Sequence, residues 1–320
     1  MKKRDLGKSM LALLLAGWCL LFLRCESTAK SMVRAVYLAQ EGTAYQVGLL
    51  YQAPEAAADA AEASAALQFV QAQAPGLEAA FAAAEQLLPQ AASYRLCDYL
   101  LFPRALPESV LTAYEQLMLR RPCGRMAARL VCTAGNPEEL AGTSMLPDAL
   151  MDALRQDTDV MPRFYQLREG VLLPVLQWQE ETVEQLPGGI LYTAAGQLAL
   201  DAAQAEAFRL LSGTGGSRSF WLEGTQVRIR RSTVTVTMGR KEVLLRLDCQ
   251  RRYQSVQPTA AQCAALAGLC DALVQTCWQQ GIDLLHLKQR AALQYGTAEG
   301  YAPTKNACPQ LRTDVRFLLF

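Results

Sequence analysis

Histidine is nearly absent from this 320-residue chain, which contains only His286. A zinc site of the HExxH type needs two histidines, so that class of metalloprotease is excluded. A Ser-His-Asp or Cys-His arrangement would have to use His286. The sequence has no GxSxG motif to expose a serine, and Asp283 lies on the same short segment as His286. We predict that His286 packs against a helix or faces solvent, and that the chain is not an enzyme.

Closely spaced cysteine pairs are also lacking. None of the ten cysteines forms a CxxC motif, so the sequence supports neither a zinc knuckle nor a thiol redox site. Cys263, Cys270 and Cys277 recur every seven residues along one predicted helix. This spacing separates neighbours by about 10 Å and prevents them from bridging one another. We predict that they are small buried apolar residues and that the protein uses no metal or other cofactor.

The chain has no excess of one charge, because 31 Lys and Arg balance 30 Asp and Glu. Several of the basic residues lie in the first 24 positions, so the rest of the chain is slightly acidic. No run of Lys and Arg with interleaved aromatic residues follows residue 25, and nucleic acid is therefore not expected as a partner. The glycine-rich run Ser212–Ser217 lacks the Lys of a phosphate-binding loop and is interpreted as a flexible connection.

The chain does have a basic head, MKKRDLGK, followed by an apolar run that ends at Cys25. The fourteen uncharged residues Met10–Leu23 extend about 21 Å as a helix, against a hydrocarbon core of about 30 Å. A run this short fits a signal peptide, and Cys25 is a candidate site of lipid attachment. Lipoprotein cleavage needs a small residue where Arg24 stands, so an uncleaved membrane anchor is the alternative. In both cases the rest of the chain is expected outside the cytoplasm.

The length after the leader predicts two structural units. Strand and helix patterns alternate in both, which indicates an α+β fold of mixed sheets packed with helices. A charged stretch that meets Pro187-Gly188-Gly189 marks a boundary. The predicted organisation is a signal or anchor segment at 1–24, an N-terminal α+β domain at 25–185 and a C-terminal α+β domain at 186–320.

An opening hairpin and a late helix have the clearest local signals. Met32–Ala39 and Tyr45–Tyr51 predict two strands around a turn that contains Gly42. Thr259–Gln280 predicts a helix with Thr259 as its cap and Gly281 after its end. Further strands are predicted at Leu67–Gln73, Arg95–Phe102, Ala127–Thr133, Gly189–Thr193, Leu198–Leu200, Gln226–Thr237 (with a bulge near Arg231 or Ser232), Glu242–Arg252 and Val315–Phe320. Further helices are predicted at Leu77–Leu88, Pro107–Leu119, after the cap Asn136, at Leu146–Asp157, from Asp201 to Leu211 and at Leu284–Gln294.

Several short segments, in order along the chain, resemble the Ger(x)C family, the C subunits of bacterial spore germinant receptors. Gly281-Ile282-Asp283 is similar to the late Gly-x-Asp signature of the family, and Cys25 lies eight residues before Val33, close to the spacing of the family's lipid-carrying cysteine. The other segments are Ala35–Ala39 with Tyr45–Tyr51, Leu77–Ala80 before Tyr94–Leu101, Leu119–Pro122 with Ala128–Gly135, Gly189–Gly213 and Val315–Phe320.

The resemblance implies a non-enzymatic lipoprotein subunit of a nutrient germinant receptor that is required for spore germination. It implies attachment to membrane lipid, through Cys25, on the outer face of the spore inner membrane. Its implied partners are integral membrane subunits, one transporter-like and one large. Asp283 matches the family position, while its local role is predicted to be the cap of the following helix. Two alternatives stay open: an extracytoplasmic protein that binds a small nutrient between its two units, and a secreted hydrolase that uses His286.

Overall fold

The structure is a computed structural model that describes residues 30–52, 67–121, 127–142, 145–156, 161–179, 181–193, 195–213, 217–222, 224–239, 242–251, 257–303 and 306–319. These ranges contain a large mixed sheet, a two-stranded hairpin and a three-stranded sheet, with helices packed on them. The predicted α+β architecture is therefore confirmed. The predicted leader 1–24 and Cys25 lie outside the described residues, so they stay predictions.

The large sheet occupies the first two thirds of the chain and has the order β3-β2-β1-β5-β6-β7-β8-β9, with β4 beside β1. Its central strands β1, β5, β6 and β7 are parallel, and antiparallel hairpins flank them. The strands are β1 (Ser31–Glu41), β2 (Ala44–Gln52), β3 (Leu67–Ala74), β4 (Ala92–Ser93), β5 (Tyr99–Pro103), β6 (Arg129–Thr133), β7 (Val171–Gln179), β8 (Thr182–Thr193) and β9 (Gly196–Leu200).

Helices cover both faces of this sheet. Successive side chains of each strand point to opposite faces, so each face of the sheet supplies a separate core. Val36 and Leu100 face a core that α1 (Leu77–Gln86) and α2 (Glu108–Arg120) complete. Tyr37 and Leu101 face a second core on the other side. That core is covered by α3 (Pro137–Gly142) and α4 (Met145–Gln156), and a 3₁₀ helix (Phe164–Glu169) precedes β7.

The second half of the chain builds a smaller sheet around a third core. β12 (Arg231–Met238) and β13 (Glu242–Arg251) are antiparallel, and β14 (Gln310–Leu319) lies parallel to β13. The hairpin of β10 (Arg218–Leu222) and β11 (Thr225–Ile229) precedes them. The helices are α5 (Ala202–Ser212), α6 (Ala260–Gln279) and α7 (Leu287–Tyr295), and a short 3₁₀ helix spans Glu299–Tyr301.

Helix α6 is the central element of this third core. It begins at a capping box, in which the Thr259 side chain accepts a hydrogen bond from the Gln262 backbone N–H. Leu266, Cys270 and Leu273 are fully buried along one side. Within the described ranges, α6 alone is long and apolar enough to cross a membrane by length and composition. Here its apolar side packs against α5 and the three-stranded sheet.

Strand β8 joins the two halves. It pairs with β7 along its length and with β9 at its end, and the predicted boundary between residues 185 and 186 falls inside it. The pairing of β7 with β8 shifts register between Leu173 and Val175, opposite Pro187-Gly188-Gly189. The segment interpreted as a boundary is therefore a bulged strand in this fold. The division into domains at 25–185 and 186–320 stays a prediction.

Other elements differ in their bounds from the sequence-based expectations. The strand expected from Arg95 begins at Tyr99, because a turn closes with a Cys97 N–H bond to the Tyr94 carbonyl. The helix expected from Leu284 begins at Leu287. The chain breaks at Arg230 into β11 and β12, which belong to different sheets, close to the predicted bulge. The strands β4, β7 and β10 and the first halves of β8 and β14 were not predicted.

Candidate functional site

The candidate site starts at the turn that ends α6, where the Ger(x)C-like Gly281-Ile282-Asp283 lies. Gly281 has a φ of 80°, a backbone conformation that favours glycine. The Gly281 N–H donates to the Trp278 carbonyl and the Ile282 N–H donates to the Cys277 carbonyl. This is the closing pattern of a Schellman motif, and Ile282 is buried beside it. The turn fixes the direction in which the chain leaves α6.

The Asp283 carboxylate caps α7. One oxygen accepts a hydrogen bond from the Leu287 N–H and the other from the Lys288 N–H, both at 2.8 Å. A carboxylate at a helix N-terminus is stabilised by these otherwise unpaired donors and by the helix dipole. The predicted capping role of Asp283 is confirmed, with the helix starting three residues later than expected.

The single histidine lies inside this cap with a strained backbone. His286 has a φ of 53°, and among the described residues it is the one non-glycine with a positive φ. Its carbonyl accepts the Arg290 N–H, and the Arg290 Nε donates to the Leu285 carbonyl at 3.0 Å. Left-handed backbone at a non-glycine residue costs about 1–3 kcal/mol and is often found at functional sites.

This capped turn forms one wall of a cavity of about 390 Å³ at the junction of the two halves. The end of β8 contributes Leu191 and Thr193 from the large sheet. Opposite them, α5 contributes Phe208 and Leu211, and β12 contributes the half-buried Val234 and Val236. A hydrogen bond of 2.8 Å from the Ser232 hydroxyl to the Leu210 carbonyl ties β12 to α5. We call this space the junction cavity.

The junction cavity combines apolar walls with few charged groups. Asp283, His286 and Arg290 are the charged or titratable residues that line it. Both carboxylate oxygens of Asp283 accept hydrogen bonds from backbone donors, and the Arg290 guanidinium is exposed. A cavity with this volume and lining is of the kind that binds a small molecule. The described residues contain no cluster of three His, Cys, Asp or Glu suited to a metal ion.

The cysteines do not extend this site. Cys270 and Cys277 are fully buried as predicted, whereas Cys263 is half-buried. Burial raises the pKa of the Cys270 thiol to about 12 and that of Cys277 to about 11. A thiol with a raised pKa carries little thiolate near neutral pH and reacts slowly. These residues therefore serve the packing of α6.

Sequence reasoning singled out Asp283 and His286, and the structure places both at the junction cavity. It did not identify Arg290, nor the apolar wall formed by Phe208, Val234 and Val236. Arg290 lies one helical turn after His286, and this spacing is the sequence pattern from which it could have been identified. The apolar wall had no local signal, because its residues come from separate elements.

Comparison with known proteins gives a structural similarity. No protein-family model matches the chain, and no curated protein matches it. The chain is similar to a solved structure described as "Crystal Structure of the GerBC protein", with a TM-score of 0.47 and 10% sequence identity. The similarity covers 89% of this chain and 96% of that chain. A similarity of this strength leaves the function to be argued from the residues of this chain.

Proposed function

We propose that this chain is a non-enzymatic, membrane-associated subunit of a nutrient germinant receptor that is required for spore germination. In this proposal the leader or a lipid on Cys25 holds it at the outer face of the spore inner membrane. The transporter-like and large integral membrane subunits are its partners. The chain contributes to assembly of the receptor, because its attachment to the membrane that holds its partners raises their local concentration.

The observation that carries the proposal is where the Ger(x)C-like segments lie in the fold. Ala35–Ala39 and Tyr45–Tyr51 pair as the hairpin β1–β2. Gly189–Gly213 spans the end of β8, β9 and α5, which join the two halves. Gly281-Ile282-Asp283 closes α6 and caps α7. The first of these segments forms the opening hairpin, and the other two lie where the halves meet and where α6 is connected to α7.

Gene deletion and complementation test this proposal. In a strain without a second receptor operon, deletion should abolish nutrient-triggered germination, and the wild-type gene should restore it. Complementation with Cys25→Ala should fail if a lipid is the anchor, while the matched variant Cys19→Ala should succeed. Normal germination of the deletion strain would refute the receptor role. Full activity of Cys25→Ala would refute lipidation and leave the uncleaved anchor.

The junction cavity favours a second candidate function, the capture of a small nutrient between the two halves. Calorimetry of the full chain in a nonionic detergent, with amino acids and sugars as titrants, tests it directly. Val236→Trp should fill the cavity and abolish binding. Thr235→Trp is the matched control, because Thr235 is exposed on the opposite side of the same strand. Absence of heat with every titrant would exclude capture of those nutrients by this chain alone.

A further inference from the structure

The three-stranded sheet of the second half ends in an open edge. Its order is β12-β13-β14, so β14 pairs with β13 on one side, and no other described strand pairs with its second side. At ten residues, β14 is the longest edge strand in the part of the chain that the structure describes. The backbone N–H and C=O groups along such an edge can pair with a further strand.

The edge of β14 is continuous along its length. The strand contains no proline, glycine or lysine, and it pairs with β13 through consecutive residues without a shift in register. Prolines, lysines and bulges are the features that most often keep an edge strand from pairing. β14 therefore retains the backbone geometry that a strand partner needs.

The two faces of β14 differ in their chemistry. Leu311, Val315 and Phe317 are half-buried and pack against the third core, which α6 completes. On the same face, the Thr313 hydroxyl donates to the Asp271 carboxylate of α6. The residues between them point to the other face of the sheet. A strand added at this edge would need an apolar face on the side of α6 and a polar face on the opposite side.

The polar face of β14 carries three charged residues, Arg312, Asp314 and Arg316. The Asp314 Oδ2 accepts a hydrogen bond from the Arg316 Nε at 2.8 Å and lies 3.9 Å from the Arg246 Nε of β13. In the register of the two strands, Arg316 lies beside Asp248 of β13. Acidic and basic side chains thus alternate both along β14 and between β13 and β14.

We propose that two copies of this chain pair antiparallel along β14, with a twofold axis beside Val315, and join their three-stranded sheets into one. In this register each Arg316 lies opposite the partner's Asp314, because each is one residue from the axis. Asp248 and Arg246 of β13 extend this pair on either side, so opposite charges alternate across four strands of the dimer. Opposite charges on directly opposed residues stabilise a strand pair, whereas like charges destabilise it.

The same charges disfavour the adjacent registers. An axis moved by one residue, to Asp314 or Arg316, would place like charges opposite one another. An axis beside Thr313 restores opposite charges but pairs only seven residues of each copy, against nine for the axis beside Val315. The charge pattern therefore favours a second copy as the occupant of this edge, in one register. The pairing does not depend on the proposed receptor function.

Sedimentation velocity of the full chain in a density-matched nonionic detergent tests for the dimer. One shared strand pair buries less area than a standard interface, so we expect a dissociation constant of about 10–100 µM. Arg316→Asp opposes acidic side chains at two symmetric positions, and Asp314→Arg opposes basic ones. Each variant alone should weaken the dimer by about tenfold.

Mixing the two charge variants separates a lost contact from a lost fold. In the mixed dimer the two acidic residues of Arg316→Asp lie opposite the two basic residues of Asp314→Arg, so an equimolar mixture should recover the wild-type affinity. Arg312→Asp is the matched control. Arg312 is exposed on the same face, but it lies opposite the partner's Leu318, so this variant should change the dissociation constant by less than about threefold.

Cysteine cross-linking tests the register. In Val315→Cys the two introduced thiols lie directly opposite each other, so mild oxidation should join the copies covalently. Leu311→Cys is the matched control, because Leu311 is half-buried on the same face. Its counterpart in the partner is eight residues away along the strand, about 27 Å, which is too far for a disulfide.

Four results would each overturn the proposal. These are a wild-type chain that stays monomeric at about 500 µM, a dimer unaffected by both charge variants, no recovery in their mixture, or equal covalent dimer from Leu311→Cys and Val315→Cys.

Discussion

Replacing Asp283 by alanine tests whether the Ger(x)C-like turn is held by its cap. The variant loses two hydrogen bonds of 2.8 Å from the Leu287 and Lys288 N–H groups to a half-buried carboxylate. A helix cap contributes about 1 kcal/mol, and hydrogen bonds to charged groups contribute about 1.5–3 kcal/mol each before solvent screening. We expect Asp283→Ala to lower the free energy of unfolding by about 2 kcal/mol. The melting temperature should fall by about 4–8 °C.

The assay is urea unfolding followed by circular dichroism, with Asp201→Ala as the control. Asp201 caps α5 through one hydrogen bond, from the Gln204 N–H at 2.8 Å, so Asp201→Ala should lower the free energy of unfolding by about 1 kcal/mol. Asp283→Asn keeps one acceptor oxygen, so its free energy of unfolding should lie between those of the wild type and Asp283→Ala. Hydrogen exchange of the Leu287 and Lys288 amides should accelerate in Asp283→Ala alone. Wild-type stability and unchanged exchange in that variant would refute the capping argument.

Three further changes test other parts of the fold. Because burial raises the pKa of the Cys270 thiol to about 12 from 9.0, the unfolded chain holds fewer protons above about pH 9. Urea titrations should therefore show that the free energy of unfolding falls between about pH 9 and 12. In Cys270→Ala this fall should be less steep, by up to about 1.4 kcal/mol per pH unit. Gly48→Ala would place a Cβ 2.2 Å from Phe69 and should destabilise by about 1–3 kcal/mol, whereas Gly268→Ala, with open space on α6, should stabilise by about 0.5–1 kcal/mol. A thermal melt that ranks the two glycine variants equally would contradict this difference in packing. Mass spectrometry of the amino-terminal peptide from membranes should find diacylglyceryl-Cys25, while an intact Met1 would establish an uncleaved anchor.

The elements that the sequence predicted well are those whose signals are local. The β1–β2 hairpin turns at Gly42, which has a φ of 59°. Helix α6 has its capping box at Thr259 and its glycine stop at Gly281, so both ends are encoded within a few residues. Such patterns need no knowledge of distant packing.

The strands β7 and β8 show where local signals fail. Pro174 and Pro187 argue against strands, because proline cannot donate to a ladder. Both lie where the β7–β8 pairing shifts register. The adjacent Gly188 has a φ of 95°, and a Cβ there would lie 2.2 Å from the Leu200 carbonyl oxygen. Pairing with neighbouring strands therefore overrides the composition that suggested a linker.

The site was predictable only in part for a similar reason. Asp283 and His286 stand out in the sequence as a family-like motif and a lone histidine. The walls of the junction cavity, in contrast, combine elements far apart in the chain, such as β8 with α5 and β12. The volume of a cavity and the charges that line it are set only when distant elements pack together, so no short segment of the sequence encodes them.

The position of β8 between two cores means that the two halves of the molecule share a mechanical element. Leu191 belongs to the core of the second half, and Ile190 and Tyr192 belong to the core of the first. A shift of this strand by a fraction of an ångström would disturb the packing of both cores together, because protein interiors are close-packed. If a ligand in the junction cavity moves β8, that movement must reach the core of the first half as well. The strand that joins the halves is thus where a change in the packing of one half is passed to the other.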